Sequence, residues 1–79
     1  MRVMIRLHAT LRKYLPAGAA GNAVRLDLPD GATVAEAIER LGVPPAHAKM
    51  MVCGDQHLEP ATVLRDGQEV NLYPPLAGG

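Results

Sequence analysis

Val24-Arg25-Leu26-Asp27-Leu28-Pro29-Asp30-Gly31-Ala32-Thr33-Val34-Ala35-Glu36-Ala37-Ile38-Glu39-Arg40-Leu41-Gly42 changes its hydrophobic period once, and that change decides the fold class. Up to Leu28 the apolar residues Val24, Leu26 and Leu28 alternate with Arg25 and Asp27, the period that lays one face of a strand on a core. Pro29-Asp30-Gly31 has turn chemistry. From Val34 onward Val34, Ala37, Ile38 and Leu41 recur at helical spacing. Thr33 and Glu36 stand in the capping-box relation, in which each side chain satisfies a backbone donor left free at a helix start. Gly42 falls where a left-handed C-terminal cap belongs, just before Pro44-Pro45. The stretch predicts a strand, a turn and a helix running from Val34 to Leu41.

Working outward, Val3, Ile5 and Leu7 alternate with Arg2, Met4, Arg6 and His8, which predicts a first strand able to form a hairpin with the second. Between them, Leu11, Tyr14 and Leu15 suggest a short amphipathic helix from Thr10 to Leu15, stopped by Pro16. Ala17 to Asn22 has no periodicity and contains Gly18 and Gly21, so a mobile connection is expected. Met50-Met51-Val52-Cys53, ended by Gly54-Asp55, predicts a strand buried on much of its surface. After the turn Asp66-Gly67, Val70 and Leu72 alternate with Glu69, Asn71 and Tyr73, giving a last strand that stops at Pro74-Pro75. Strand, strand, helix, strand, strand is the order of an α+β roll with one main helix covering one face of about four strands.

With 79 residues the chain is expected to form a single domain, residues 1–79, because so short a chain cannot divide its core. A content of 48% hydrophobic and 20% charged residues is that of a folding chain rather than a disordered one. Eight basic and eight acidic residues cancel, which argues against recruitment of nucleic acid or an anionic membrane through net charge. The lone Cys53 cannot close an internal disulfide and fits a reducing compartment. The apolar opening Val3-Met4-Ile5 is cut by Arg6, too short for a signal or a membrane span, so the cytoplasm is the expected location.

The ending Pro74-Pro75-Leu76-Ala77-Gly78-Gly79 is the segment most suited to chemistry. Fully extended, it would reach on the order of 20 Å as a protruding, flexible tail, residues 74–79. Prolines at its base restrict the backbone, and glycines at its tip carry no Cβ to obstruct a narrow channel. A terminal carboxylate is a poor electrophile, so it becomes a group carrier only after another enzyme activates it, for example as an acyl-adenylate. Two glycines end a chain by chance in roughly 0.5% of sequences, so the ending gains meaning only from the compact domain before it. Tyr73, Pro74, Pro75 and Leu76 form the candidate docking patch beside the tail. His8, His47 and His57 lack metal-ligand spacing, so no metal is expected. Cys53 has no assignable catalytic partners, and no glycine-rich segment reads as a phosphate loop. Arg2, Arg6 and His8 lie on the solvent set of the first strand and form at most a weak basic stripe.

Arg6-Leu7-His8-Ala9-Thr10-Leu11-Arg12, Pro29-Asp30-Gly31-Ala32-Thr33-Val34, Leu64-Arg65-Asp66-Gly67-Gln68-Glu69-Val70 and the Pro74–Gly79 ending together resemble the small subunit of molybdopterin synthase, within the wider family of ubiquitin-like sulfur carriers. The resemblance spans the whole chain. It implies a β-grasp, ubiquitin-like fold with a mixed sheet. It further implies that an E1-like adenylyltransferase uses ATP to adenylate Gly79, and that a sulfur donor enzyme converts it to a thiocarboxylate. Gly78, Ala77 and Leu76 would then accompany Gly79 into the active site of the large catalytic subunit, where the tail would supply dithiolene sulfur to a pterin precursor of the molybdenum or tungsten cofactor. On this resemblance the chain is a non-catalytic carrier subunit that binds no cofactor itself. Similar carriers serve thiamine or cysteine synthesis, and some modify protein lysines. Cys53-Gly54-Asp55 departs from the Asn-Gly that such carriers often show at this strand end, which bears on the turn and not on the tail.

Overall fold

Alternation becomes geometry in the first strand. In the computed structural model, which describes residues 1–75, strand β1 (Arg2–Leu7) buries Val3, Ile5 and Leu7 and leaves Arg2, Met4 and Arg6 wholly or partly exposed. Strand β2 (Ala23–Asp27) pairs with it antiparallel, Val3 opposite Leu26 and Ile5 opposite Val24, as the shared period requires. Helix α1 (Val34–Leu41) follows, then strands β3 (Met50–Cys53), β4 (Gln56–His57) and β5 (Glu69–Tyr73). The sheet order is β2-β1-β5-β3-β4, with β5 parallel to β1 and antiparallel to β3. The last strand in the chain is therefore central in the sheet, and the sheet is mixed.

Helix α1 occupies the residues its capping signals predict. The Thr33 hydroxyl accepts from the Glu36 amide at 3.3 Å, half of a capping box. The Val34 and Ala35 amides donate to the carbonyls of Thr62 and Pro60, so the loop before β5 satisfies two more donors of the first turn. At the other end Gly42 adopts φ 77°, its amide donates to Glu39 O, and the Val43 amide donates to Ile38 O. These bonds form a Schellman closure, completed by burial of both Ile38 and Val43. One face of the helix, Val34, Ala37 and Ile38, packs on Val3, Ile5 and Leu7 of β1 and Val70 and Leu72 of β5 in a single core cluster. Among the described residues the core contains no buried polar or charged side chain.

Three sequence-based expectations are corrected. The sheet has five strands rather than four, because the turn at Gly54-Asp55 folds Gln56–His57 back on β3. That two-residue, polar edge strand has no hydrophobic alternation from which to read it. Ala9–Tyr14 forms a 3-10 helix instead of an α-helix over Thr10–Leu15, with i to i+3 bonds from Leu11 to His8 and from Leu15 to Arg12. So short a segment cannot repay α-helix nucleation, and Pro16 holds Leu15 in extended backbone. Of β3 only Met51 is buried; Met50 and Val52, on the face away from the core, are exposed and half-buried, and Cys53 at the strand's end is half-buried. The connection before β2 is built from turns, with Ala20 and Ala23 exchanging both backbone hydrogen bonds around Gly21 at φ 62°. No helix among the described residues is long and apolar enough to cross a membrane.

Leu7 is fully buried at the junction of strand and helix, so Leu7→Ala is expected to cost about 2–5 kcal/mol in urea unfolding. Thr33→Ala, which removes one cap acceptor, is expected to cost about 1 kcal/mol by the same measurement.

Candidate functional site

The place where β5 stops is built by both its neighbours. The Leu72 carbonyl accepts from the His8 amide at 3.1 Å on the β1 side, and the Tyr73 carbonyl accepts from the Lys49 amide at 3.0 Å on the β3 side. Pro74 and Pro75 then supply no N–H, so the ladder cannot continue. The strand is thus held through Tyr73, and the chain leaves the sheet at a defined point, the same end at which β1 finishes.

Strand alternation settles the role of Tyr73. Leu72 is buried at 1% exposure, while Tyr73 lies on the opposite face at 37% and takes no part in the core cluster. Its ring does not cover the core edge. Instead it stacks on the His8 imidazole, centroids 4.4 Å apart and planes within 8°. His8 is fixed in turn by Asn71, whose Oδ1 lies 2.8 Å from His8 Nε2. An amide oxygen only accepts, so in this contact Nε2 is the donor. Met50, opposite Tyr73 in the β3–β5 register and 45% exposed, extends the same surface. Pro74 is half-buried and Pro75 exposed. The structure therefore brings Tyr73, Pro74 and Pro75 together at the root of the C-terminal segment. Leu76, Ala77, Gly78 and Gly79, together with the expected protrusion of the tail, lie outside the described residues.

Sequence reasoning missed His8 and Met50 as members of this surface. Each could be placed on a solvent-facing set, but only the pairing of Leu7 with Leu72 and of Met50 with Tyr73 reveals their neighbours. The weak basic stripe is dissolved by the same contacts. Arg2 pairs with Asp27 at 3.1 Å, Arg6 with Glu69 at 2.7 Å, and His8 is engaged by Asn71 and Tyr73. Cys53 is half-buried with a free thiol. No group of three or more potential metal ligands occurs among the described residues.

A family model described as Mut7-C ubiquitin matches residues 1–77, nearly the whole chain. The chain belongs to the Mut7-C ubiquitin family. Solved structures agree with this membership at the level of fold. SAMP1 from Haloferax volcanii superposes with a TM-score of 0.72 at 22% identity over 100% of both chains. A putative molybdopterin converting factor, subunit 1, from Pyrococcus furiosus gives 0.71 at 21% identity, covering 95% of this chain and 98% of its own. A ubiquitin-like protein from Caldiarchaeum subterraneum gives 0.53 at 17% identity, over 99% of this chain. No curated protein sequence matches. The β-grasp, ubiquitin-like fold implied by the resemblance is thus the fold of this Mut7-C ubiquitin family member.

The His8–Tyr73 stack gives a direct test of how the tail root is held. His8→Ala is expected to cost about 1 kcal/mol of stability and to shift the Lys49 amide resonance, which reports the Tyr73 carbonyl. His8→Phe keeps a stacked ring and is expected to restore most of both.

Proposed function

We propose that this chain is a sulfur carrier whose C-terminal Gly79 is adenylated and then thiocarboxylated, and that it donates this sulfur in biosynthesis of a molybdenum or tungsten cofactor. The observation that carries the reading is the coincidence of a ubiquitin-like fold with a central last strand that ends at Tyr73 and runs directly into Pro-Pro-Leu-Ala-Gly-Gly. The reading requires Gly79 to be the terminus of the mature protein.

The chemistry follows from the weakness of a carboxylate as an electrophile. An E1-like adenylyltransferase would let the Gly79 carboxylate attack the α-phosphorus of ATP, releasing pyrophosphate. A sulfide-level donor would then attack the acyl carbon, and AMP would leave. The product sulfur is a better nucleophile than carboxylate oxygen because it is more polarisable. The large catalytic subunit of the synthase would receive Leu76 to Gly79 in its active site, with Tyr73, Pro74 and Pro75 seated at the channel mouth. The carrier itself would bind no cofactor, ATP would belong to the activating enzyme, and the work would take place in the cytoplasm.

Likeness to a putative molybdopterin converting factor subunit supports the cofactor pathway. Likeness to SAMP1, a small archaeal modifier protein, supports a second reading in which Gly79 forms an isopeptide bond with a lysine of another protein. Delivery to thiamine or cysteine synthesis would use the same terminal chemistry.

The purified chain incubated with an E1-like enzyme from its own source, ATP and a sulfide donor is expected to gain the mass of one oxygen-to-sulfur exchange at Gly79, read by intact mass spectrometry. Deleting Gly78-Gly79 is expected to abolish the exchange without altering the fold. Absence of exchange, with Gly79 found on protein lysines instead, would establish the modifier reading.

A further inference from the structure

The chain's charges cancel in number but not in space. None of the eight acidic residues lies in residues 4–26, 41–52 or 70–75, stretches that include the parts of β1, β2, β3 and β5 nearest the point where β5 stops. The acids stand elsewhere: Asp27 and Asp30 after β2, Glu36 and Glu39 on α1, Asp55, Glu59 and Asp66 in the loops between β3 and β5, and Glu69 at the start of β5. The tail end carries Arg12 and Lys13 on the 3-10 helix Ala9–Tyr14, His47 on a second 3-10 helix (Pro45–His47), and Lys49 just before β3.

These four side chains are exposed, and contacts hold their segments in one place. The Tyr14 hydroxyl lies 3.1 Å from His47 Nδ1 and joins the two 3-10 helices. Lys13 Nζ stands 5.3 Å over the Tyr14 ring, and the Lys49 amide is bonded to the Tyr73 carbonyl. Among the described residues, the ion pairs use Arg2, Arg6 and the N-terminus, and none of Arg12, Lys13 and Lys49 pairs with a described carboxylate. Cations gathered at one end of a chain with zero net charge make a dipole, and the segment to be inserted into a partner leaves from its positive end.

We propose that Arg12, Lys13, His47 and Lys49 form a basic collar around the tail root that recognises an acidic protein surface ringing the channel which receives the tail. This inference rests on the carrier reading above and names the chemistry of the partner's mouth. Complementary charge acts before contact. It raises the association rate and orients the encounter so that the positive pole, and with it the tail, arrives first. An acidic protein surface fits better than nucleic acid, because the patch is small and the eight carboxylates over the remaining surface would repel an extended phosphate chain.

Two measurements test it. In the first, the amide resonances of the intact chain are followed as hexaglutamate is added in about 20 mM salt, where the Debye length is on the order of 20 Å. Shifts are expected on residues 12–14 and 47–49. No binding, shifts centred on Arg25 or Arg65, or tighter binding of a thymidine oligonucleotide at the collar would overturn the proposal.

In the second, the E1-like enzyme's kcat/KM for the chain is measured by pyrophosphate exchange for two doubly charge-reversed variants. Lys13→Glu with Lys49→Glu is expected to lower it at least about tenfold at low salt, the gap closing above about 0.5 M salt. Arg25→Glu with Arg65→Glu, the same change in net charge placed elsewhere, is expected to lower it far less. Equal effects of the two pairs would overturn the collar while leaving the carrier chemistry standing. If the wild-type chain undergoes no exchange, the carrier reading fails, and the hexaglutamate titration alone decides whether the collar recognises acidic peptide.

Discussion

Insertion of β5 between β1 and β3 is the constraint on which the rest of the structure depends. It brings together segments far apart in the chain; the Arg6–Glu69 contact across β1 and β5 spans 63 residues. Closing so long a loop costs chain entropy before any contact is gained. The return is burial of Val70 and Leu72 beside Ile5 and Leu7, which joins the two halves of the chain in one core under α1. A parallel pair also needs a crossover, and the segment containing α1 supplies it while covering the face that the pairing makes apolar.

The same insertion fixes where the C-terminal segment begins. Because β5 is flanked on both sides, its backbone is bonded through Tyr73, and the two prolines end the ladder abruptly rather than by gradual fraying. The Tyr73 ring stacks on His8, just after β1, and His8 is fixed in turn by Asn71. On the proposed carrier reading, such a junction would let the body be gripped in one orientation while the terminal residues enter a partner's active site.

The polar surface is arranged around that junction. Among the described residues the core has no buried polar side chain, which leaves recognition to the rim, and there Arg12, Lys13 and Lys49 gather near the point where the chain leaves the sheet. Net charge hides this arrangement, because the balancing carboxylates are carried by the crossover, the helix and the loops toward the other end of β5. Exposed ion pairs such as Arg2–Asp27 add little to stability. Arg2 and Arg6 are engaged in such pairs, whereas Arg12, Lys13 and Lys49 near the tail root pair with no described carboxylate.

Sequence alone determined the elements whose signals are local. Alternation in Arg2–Leu7 and Val24–Leu28, and the capping signals at Thr33 and Gly42, act between residues a few positions apart, and the strands and α1 stand where those signals put them. The terminal Pro-Pro-Leu-Ala-Gly-Gly was legible for the same reason. Tertiary structure alone decided the pairing of the two-residue β4, the stacking of His8 on Tyr73 and the gathering of Arg12, Lys13, His47 and Lys49. Periodicity tells which face a side chain takes, but not which strand lies beside it. That neighbour is chosen by pairing between distant segments, and the register of β5 against β1 and β3 is written in no single stretch of the chain.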